Sequence, residues 1–193
     1  MGIEYERKYK ATPQSLSQLE QVLGQQKTVI RMETTYYDTP NGDFSARHWT
    51  VRRRMENEKS VCTFKFPVDA VGRGEFEVEC ASLEDAIPEL CKLSGKEDLL
   101  SLAMGDLVAV CGAQFTRTAI PICFGNSMIE VALDQGILLG AGKQLPLCEV
   151  EAELKTGDPK DLDRFGAYLQ TAYGLEAETL SKFARAKALA KGE

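Results

Sequence analysis

Two stretches, Glu75-Phe76-Glu77-Val78-Glu79 and Glu149-Val150-Glu151-Ala152-Glu153, alternate a carboxylate with an apolar residue without a break. Successive side chains of a β-strand point to opposite faces, so each stretch makes a strand with one acidic face and one apolar face. Like charges about 7 Å apart along a strand repel one another. Such a face persists only in water, or where counter-charges, metal ions or a charged ligand sit between its members. A chain carrying two of these stretches is committed to a sheet that must manage its own charge.

The alternation recurs along the chain. The N-terminal stretch to Lys10 puts Glu4, Glu6 and Lys8 on one face and Ile3, Tyr5 and Tyr9 on the other. Strands are expected over 29–37, 49–55, 61–66, 75–79, 113–120, 128–135 and 147–155. Arg52 and Arg54 share a face with Thr50, and Lys65 shares one with Thr63. Arg117 falls within 113–120, and Glu130 and Asp134 oppose Ile129, Val131 and Leu133. The runs 38–42 and 56–59 and the pair Gly125-Asn126 read as turns.

Helix signals stand between these strands. Thr12-Pro13 reads as an N-cap with proline at the first helical position, followed by Leu16, Leu19, Val22 and Leu23 at helical spacing up to Gly24. Ser82 with Asp85 opens a mostly helical region, 83–110, interrupted by Pro88 and Gly95. Asp158-Pro159 opens a helix that runs to about Gly174, and a last helix covers 180–190 with Lys182 and Arg185.

An ordinary sheet with one solvated face would carry mixed polar residues. Here the charges come in blocks of one sign. The helices also need apolar surface to cover. If they cover the apolar faces from outside, the charged faces look inward. The expected fold is α+β, mainly antiparallel β: a closed eight-stranded tunnel barrel with a charged lumen and helices packed outside. No linker or repeat divides the chain, so residues 1–193 are expected to form one domain.

Composition narrows the chemistry. The net charge of −6 argues against nucleic acid or an anionic membrane as a partner of the outer surface. No apolar run is long enough to span a bilayer, and the charged N-terminus lacks a signal-peptide core. Six cysteines without a C-x-x-C pair read as reduced thiols of a cytoplasmic protein. A single histidine, His48 in a polar loop, leaves a zinc site or a Ser-His-Asp triad poorly supported.

A lumen rich in both carboxylates and Lys/Arg suits a polyanion together with divalent cations. Lys and Arg bind phosphoryl oxygens, and Mg2+ or Mn2+ reconciles carboxylates with phosphate. Gly72-Arg73-Gly74 lacks the P-loop frame, so side chains would hold the phosphates. The chemistry indicated is metal-assisted phosphoryl transfer to water.

The sequence resembles the CYTH family, the triphosphate tunnel metalloenzymes, whose E-x-E-x-K signature is matched by Glu4-x-Glu6-x-Lys8. The likeness continues in order through Tyr36-Tyr37-Asp38-Thr39, Arg52-x-Arg54, Thr63-x-Lys65, Arg73-x-Glu75-x-Glu77, Phe115-Thr116-Arg117, Ile129 to Asp134, Glu149 to Lys155 and Ser181-Lys182. The resemblance implies activity on triphosphate-containing substrates with Mg2+ or Mn2+, and the bacterial inorganic triphosphatase branch is the most similar. It also implies roles. Lys8, Arg52, Arg54, Lys65, Arg117 and Lys182 would bind substrate, with Lys8, Lys65, Arg117 and Lys182 taken as catalytic. Glu4, Glu6, Glu75, Glu77, Glu130, Asp134, Glu149, Glu151 and Glu153 would serve the metal ions. Two positions depart from the pattern: Phe115 stands where many members carry a base, and Ala132 where some carry Asp. Alternatives within the resemblance are an adenylyl cyclase or a thiamine or nucleoside triphosphatase; outside catalysis, a polyphosphate-binding module. The partner expected is a small triphosphate compound, with a monomer or a homodimer both open.

Overall fold

The computed structural model describes residues 2–68 and 72–192. Ten strands and six helices follow in the order β1 Gly2–Glu4, β2 Glu6–Lys10, α1 Pro13–Leu23, β3 Thr28–Asp38, α2 Asp43–Ala46, β4 Thr50–Glu56, β5 Lys59–Pro67, β6 Arg73–Glu79, α3 Leu83–Ser94, α4 Glu97–Leu102, β7 Val108–Phe124, β8 Ser127–Gly140, β9 Lys143–Thr156, α5 Pro159–Tyr173, β10 Glu176–Ala177 and α6 Lys182–Lys191. Every strand pairing is antiparallel.

The strands form one sheet in the order β1-β6-β5-β4-β3-β7-β8-β9-β2-β10. The expected eight strands are thus ten in the ladder, nine if the two pieces flanking Tyr5 are taken together, and the hydrogen-bonded order is linear where a closed ring was expected. Tyr5 causes the break by leaving the ladder between β1 and β2, although its carbonyl still accepts the Leu154 amide at 2.9 Å. β1 pairs with β6 near one end of the order, and β2 pairs with β9 near the other. The additional strand, β10, is two residues long and extends the edge of β2.

The long strands are longer than the alternation suggests. β7 runs through Pro121, beyond Ala119 where its pairing with β3 ends, so the missing N–H falls on an unpaired edge. Pro146 in β9 likewise lies before the residues that pair with β2. Two-residue turns join β7 to β8 and β8 to β9; Ala141 and Gly142 both have positive φ (48° and 76°), as a type I′ hairpin requires.

Helix boundaries follow the caps. Thr12, Ser82 and Asp158 each accept a hydrogen bond from a first-turn amide through the side chain. Pro88 lies within α3, on its exposed side, without ending it, whereas Gly95 ends it in the left-handed region at φ 65°. Helix is finished by Leu102, not near 110, and β7 begins at Val108.

Two apolar clusters cover the outer faces. Leu16 and Leu19 of α1 with Leu162, Phe165 and Leu169 of α5 pack on Tyr9, Ile120, Val131 and Val150; Tyr5 joins their edge. The Ile3 side chain, expected beside it, lies outside the described residues. Phe44, Leu83, Ile87, Leu90 and Leu99 cover Val51, Cys62 and Phe64. Each fully buried side chain of this size contributes about 1.5–3 kcal/mol.

The last helix departs from expectation. α6 packs on the charged face, not outside. Its Ala186 joins Met32, Ala113, Phe115, Leu138 and Leu147, which share that face with Arg117 and Asp134. The reason is in its composition: Ala186 and Ala190 make too thin an apolar stripe to cover an outer face, while Lys182 and Arg185, three residues apart, supply cations to buried acids. Gly140 lets it approach, since a Cβ there would lie 2.6 Å from the Ala186 carbonyl.

Candidate active site

Strand register sets the site. Lys10, Glu149, Asp134 and Arg117 form one rung across β2, β9, β8 and β7; Lys8, Glu151 and Ala132 form the next; Glu6, Glu153 and Glu130 form the third. In the other half of the strand order, Thr50 pairs with Lys65 and Lys65 with Glu75, while Arg52 pairs with Thr63 and Thr63 with Glu77.

The side chains gather into three linked groups. In the first, Lys65 Nζ lies 2.7 Å from Glu4 and 2.9 Å from Glu75. Arg52 reaches Glu75 at 3.3 Å and Glu77 at 3.6 Å, and Arg54 reaches Glu77 at 3.6 Å. The Thr63 hydroxyl donates to Glu77 at 3.0 Å. Burial pushes the Glu4 carboxyl up to about 7 despite Lys65. Burial also opposes ionisation of Glu75, but Lys65 and Arg52 outweigh it and bring it down to about 2.

In the second group Arg117 makes a two-nitrogen contact with Asp134, at 2.8 and 2.7 Å, and also touches Glu151. Lys182 lies 2.7 Å from Asp134 and 2.8 Å from Glu151, with Glu149 as its third partner. Arg185 takes the other oxygen of Glu149. Burial opposes the charge of both Arg117 and Lys182, and the carboxylates around them overcome it and hold both above their ordinary values. Burial and the neighbouring Glu151 push Glu149 up to about 7, against Lys182 and Arg185; Lys182 and Arg117 hold Glu151 well below the carboxylate range despite its own burial.

The third group lies along the Glu6–Glu153–Glu130 rung. Lys8 is 2.8 Å from Glu6, and Lys155 is 2.8 Å from Glu153 and 3.5 Å from Glu130. Burial raises Glu153, and the charge of Glu75 adds to it. The groups are electrostatically continuous, for Glu6 acts on both Glu4 and Lys65, and Arg117 acts on Arg54.

All the sequence-derived site residues therefore lie on one face, each in contact with a partner of opposite charge. Glu79 does not join them; it is 65% exposed and pairs with Lys59. Four contributors were not singled out from the sequence: Glu56, which holds Arg54; Lys155; Arg185; and Glu178, which lies 3.6 Å from Arg185. The spacing of Arg185 from Lys182 and the position of Lys155 two residues beyond Glu153 were legible signals for two of them. Glu178 sits in a loop without periodicity and gave none.

The chain resembles known proteins in sequence and in fold. An inorganic triphosphatase of Haemophilus influenzae is 29% identical over 168 residues, which cover 84% of this chain and 48% of that protein. The chain thus spans about half the length of the curated relative it matches. A Hippeastrum candidate adenylyl cyclase reported to have a dominant triphosphatase activity superposes with a TM-score of 0.68 at 18% identity, covering 100% of this chain and 97% of that one. The PH1819 protein of Pyrococcus horikoshii superposes with a TM-score of 0.64 at 21% identity, covering 98% and 99%. At these identities the two structures speak to the fold. The CYTH domain family matches residues 2–186, and this chain belongs to it.

Proposed function

We propose that this chain hydrolyses triphosphate compounds, inorganic triphosphate foremost, with Mg2+ or Mn2+. The observation that carries the reading is the interleaving of Arg52, Arg54, Lys65, Arg117 and Lys182 with carboxylates on one largely buried face. Family membership and the name of the Haemophilus relative support it.

In this reading residues 1–193 act as one domain and the sheet works as a closed tunnel. The single residue between β1 and β2 joins the strand paired with β6 to the strand paired with β9. The effect of Glu75 on Glu153 supports closure, since β6 and β9 stand near opposite ends of the hydrogen-bonded order.

The donor set fits a hard divalent ion. Asp134, Glu149 and Glu151 each offer an oxygen, all within 4.8 Å of one another, and the rung of Glu6, Glu153 and Glu130 adds carboxylates alone. Glu4, Glu75 and Glu77, gathered around Lys65 and Arg52, complete the set. When bound, such an ion supplies charge neutralisation across the phosphates and a water of lowered pKa.

The chain's own residues do the rest. Arg52 and Arg54, about 7 Å apart on β4, grip phosphoryl oxygens with Lys8, Lys65, Arg117 and Lys182. Asp134, Glu149 and Glu151 would hold the ion, and Arg117 and Lys182, their present partners, would then be available to phosphate. The bases hold the substrate in line and neutralise charge that would repel a nucleophile. The carboxylates orient a water at the terminal phosphorus. Its oxygen forms the new P–O bond, the bridging P–O bond breaks, and the water's proton passes to a carboxylate of the same face. Diphosphate and phosphate leave.

Phosphate release from triphosphate, ATP and thiamine triphosphate, with and without Mn2+ and beside an assay for cyclic AMP, tests this. Triphosphate is expected to turn over fastest, only with metal, and Lys65→Ala is expected to abolish it. Absence of turnover of every substrate by folded, metal-supplied protein overturns the reading.

A further inference from the structure

The contacts around Arg185 go beyond those needed to anchor a helix. Arg185 and Lys182 lie three residues apart on α6 and divide Glu149 between them: Lys182 meets Oε1 and Arg185 meets Oε2. Glu149 is fully buried, so its two oxygens have no water to turn to. The other side of the Arg185 guanidinium faces Glu178, with Nη1 at 3.6 Å from Oε2. Glu178 is fixed in turn. Its amide donates to the Lys8 carbonyl at 2.8 Å, extending the pairing of β10 with β2, and its Oε1 accepts from the Leu180 amide at 2.9 Å. The Glu178 side chain is only 9% exposed. Arg185 Nε is buried with no hydrogen-bond partner among the described residues, so the guanidinium meets its two carboxylates through its Nη atoms alone.

We propose that Arg185, braced by Glu178, is a positioning residue that fixes the orientation of Glu149. With Arg185 holding Oε2, Oε1 is the oxygen turned to Lys182, beside Asp134 and Glu151, and so the one left to an ion held by these three acids. Glu178 keeps the guanidinium from swinging to Glu149 as a bidentate partner, which would strip Lys182 of that contact. The fork geometry matters as much as the charge, because one planar group must span two carboxylates on different segments. This inference rests on the triphosphatase reading for its kinetic consequence, but not for its effect on Glu149 as a metal ligand.

The test compares the full chain with Arg185→Gln, Arg185→Lys, Glu178→Gln and the double variant Glu178→Gln/Arg185→Gln. Mn2+ binding without substrate, kcat and KM for triphosphate, and thermal melting are read for each. Arg185→Gln is expected to weaken Mn2+ binding and lower kcat by about tenfold or more, with KM changed less than about twofold. Arg185→Lys is expected to restore the melting temperature but only part of kcat. Glu178→Gln is expected to move kcat the same way by less, and the double variant to fall no further than Arg185→Gln alone. If Arg185→Gln fails to fold, Arg185→Lys and Glu178→Gln carry the comparison, and unchanged kcat and Mn2+ binding in both overturn the proposal. Folded Arg185→Gln with Mn2+ affinity and kcat within about twofold of the unaltered chain also overturns it. If the unaltered chain binds Mn2+ but turns over no triphosphate, the triphosphatase reading fails, while weaker Mn2+ binding by Arg185→Gln still supports the positioning of Glu149.

Discussion

Lys182, the first residue of the C-terminal helix, is held 2.7 Å from Asp134 in the middle of the sheet, with side chains 8% and 0% exposed. Removing one partner of a buried pair costs about 3–5 kcal/mol, because the other charge is left unpaired. Here Arg117 still neutralises Asp134 and Arg185 still holds Glu149, so the lower end applies. Lys182→Met is expected to lose about 3 kcal/mol of stability in metal-free urea unfolding. Mn2+ should restore part of that loss, since the freed carboxylates are its ligands. A loss below about 1 kcal/mol would show that Arg117 and Arg185 suffice for these acids.

Position on the strand decides the fate of otherwise similar glutamates. Glu6 lies on the rung with Glu153 and Glu130, while Glu79 meets only Lys59 at the exposed end of β6. Glu6→Ala is expected to abolish triphosphate turnover without unfolding the protein. Glu79→Ala is expected to leave turnover unchanged and stability within about 0.5 kcal/mol. Parallel assays and melts of the two variants check this. Equal activity in both would contradict the assignment of Glu6 to the site.

The sheet and its charged face were legible because both follow from period-two alternation, which needs no knowledge of tertiary contacts. Glu75, Glu77, Glu149 and Glu151 declare their face by sequence alone, and Arg52, Lys65 and Arg117 declare their counterparts. The ends of β7 and β9 were not legible, since Pro121 and Pro146 argue against strand unless the unpaired edge is known. The placement of α6 was not legible either. Its Lys/Ala pattern reads as a surface helix, and only the buried acids opposite explain why it lies on the charged face. The interruption at Tyr5 leaves the alternation intact, so nothing in the pattern marks it.

The pH dependence of stability follows from carboxylates shifted in opposite directions. Burial first of all raises Glu4 and Glu149 from 4.5 to about 7. The folded chain then binds more protons at these groups than the unfolded chain, so their contribution is fully present below about 4.5 and lost as pH rises through about 7. Glu75, brought to about 2, and Glu151, held lower than usual, act the other way: their contribution is present above about 4.5 and lost as pH falls through their folded values. Metal-free protein should therefore melt highest near about pH 5 and lose stability towards about pH 8. Saturating Mg2+ should offset the loss at the higher pH, where the carboxylates are ionised. Melting temperatures across this range with and without Mg2+ check it, and a metal-free rise from about pH 5 to 8 would contradict it.

Phe115 stands on the charged face of β7, two residues before Arg117, and its surroundings explain what the ring does there. Its centroid lies 5.3 Å from Lys182 Nζ and 5.9 Å from Arg117 Cζ, so one ring supports two of the proposed phosphate-binding cations. The ring is also buried against Met32, Leu138, Leu147 and Ala186, where it forms the floor on which α6 rests. Phe115→Ala removes both functions and is expected to cost about 3–5 kcal/mol, with the helix loosened. Phe115→Leu keeps most of the volume but not the π-face, so it should cost less than about 1.5 kcal/mol. Its kcat should still fall, because Lys182 and Arg117 lose their common support. Urea unfolding with turnover assays separates packing from cation support: a leucine variant with unchanged kcat would assign the ring to packing alone, and an alanine variant losing under about 1 kcal/mol would remove it from the floor of α6 as well.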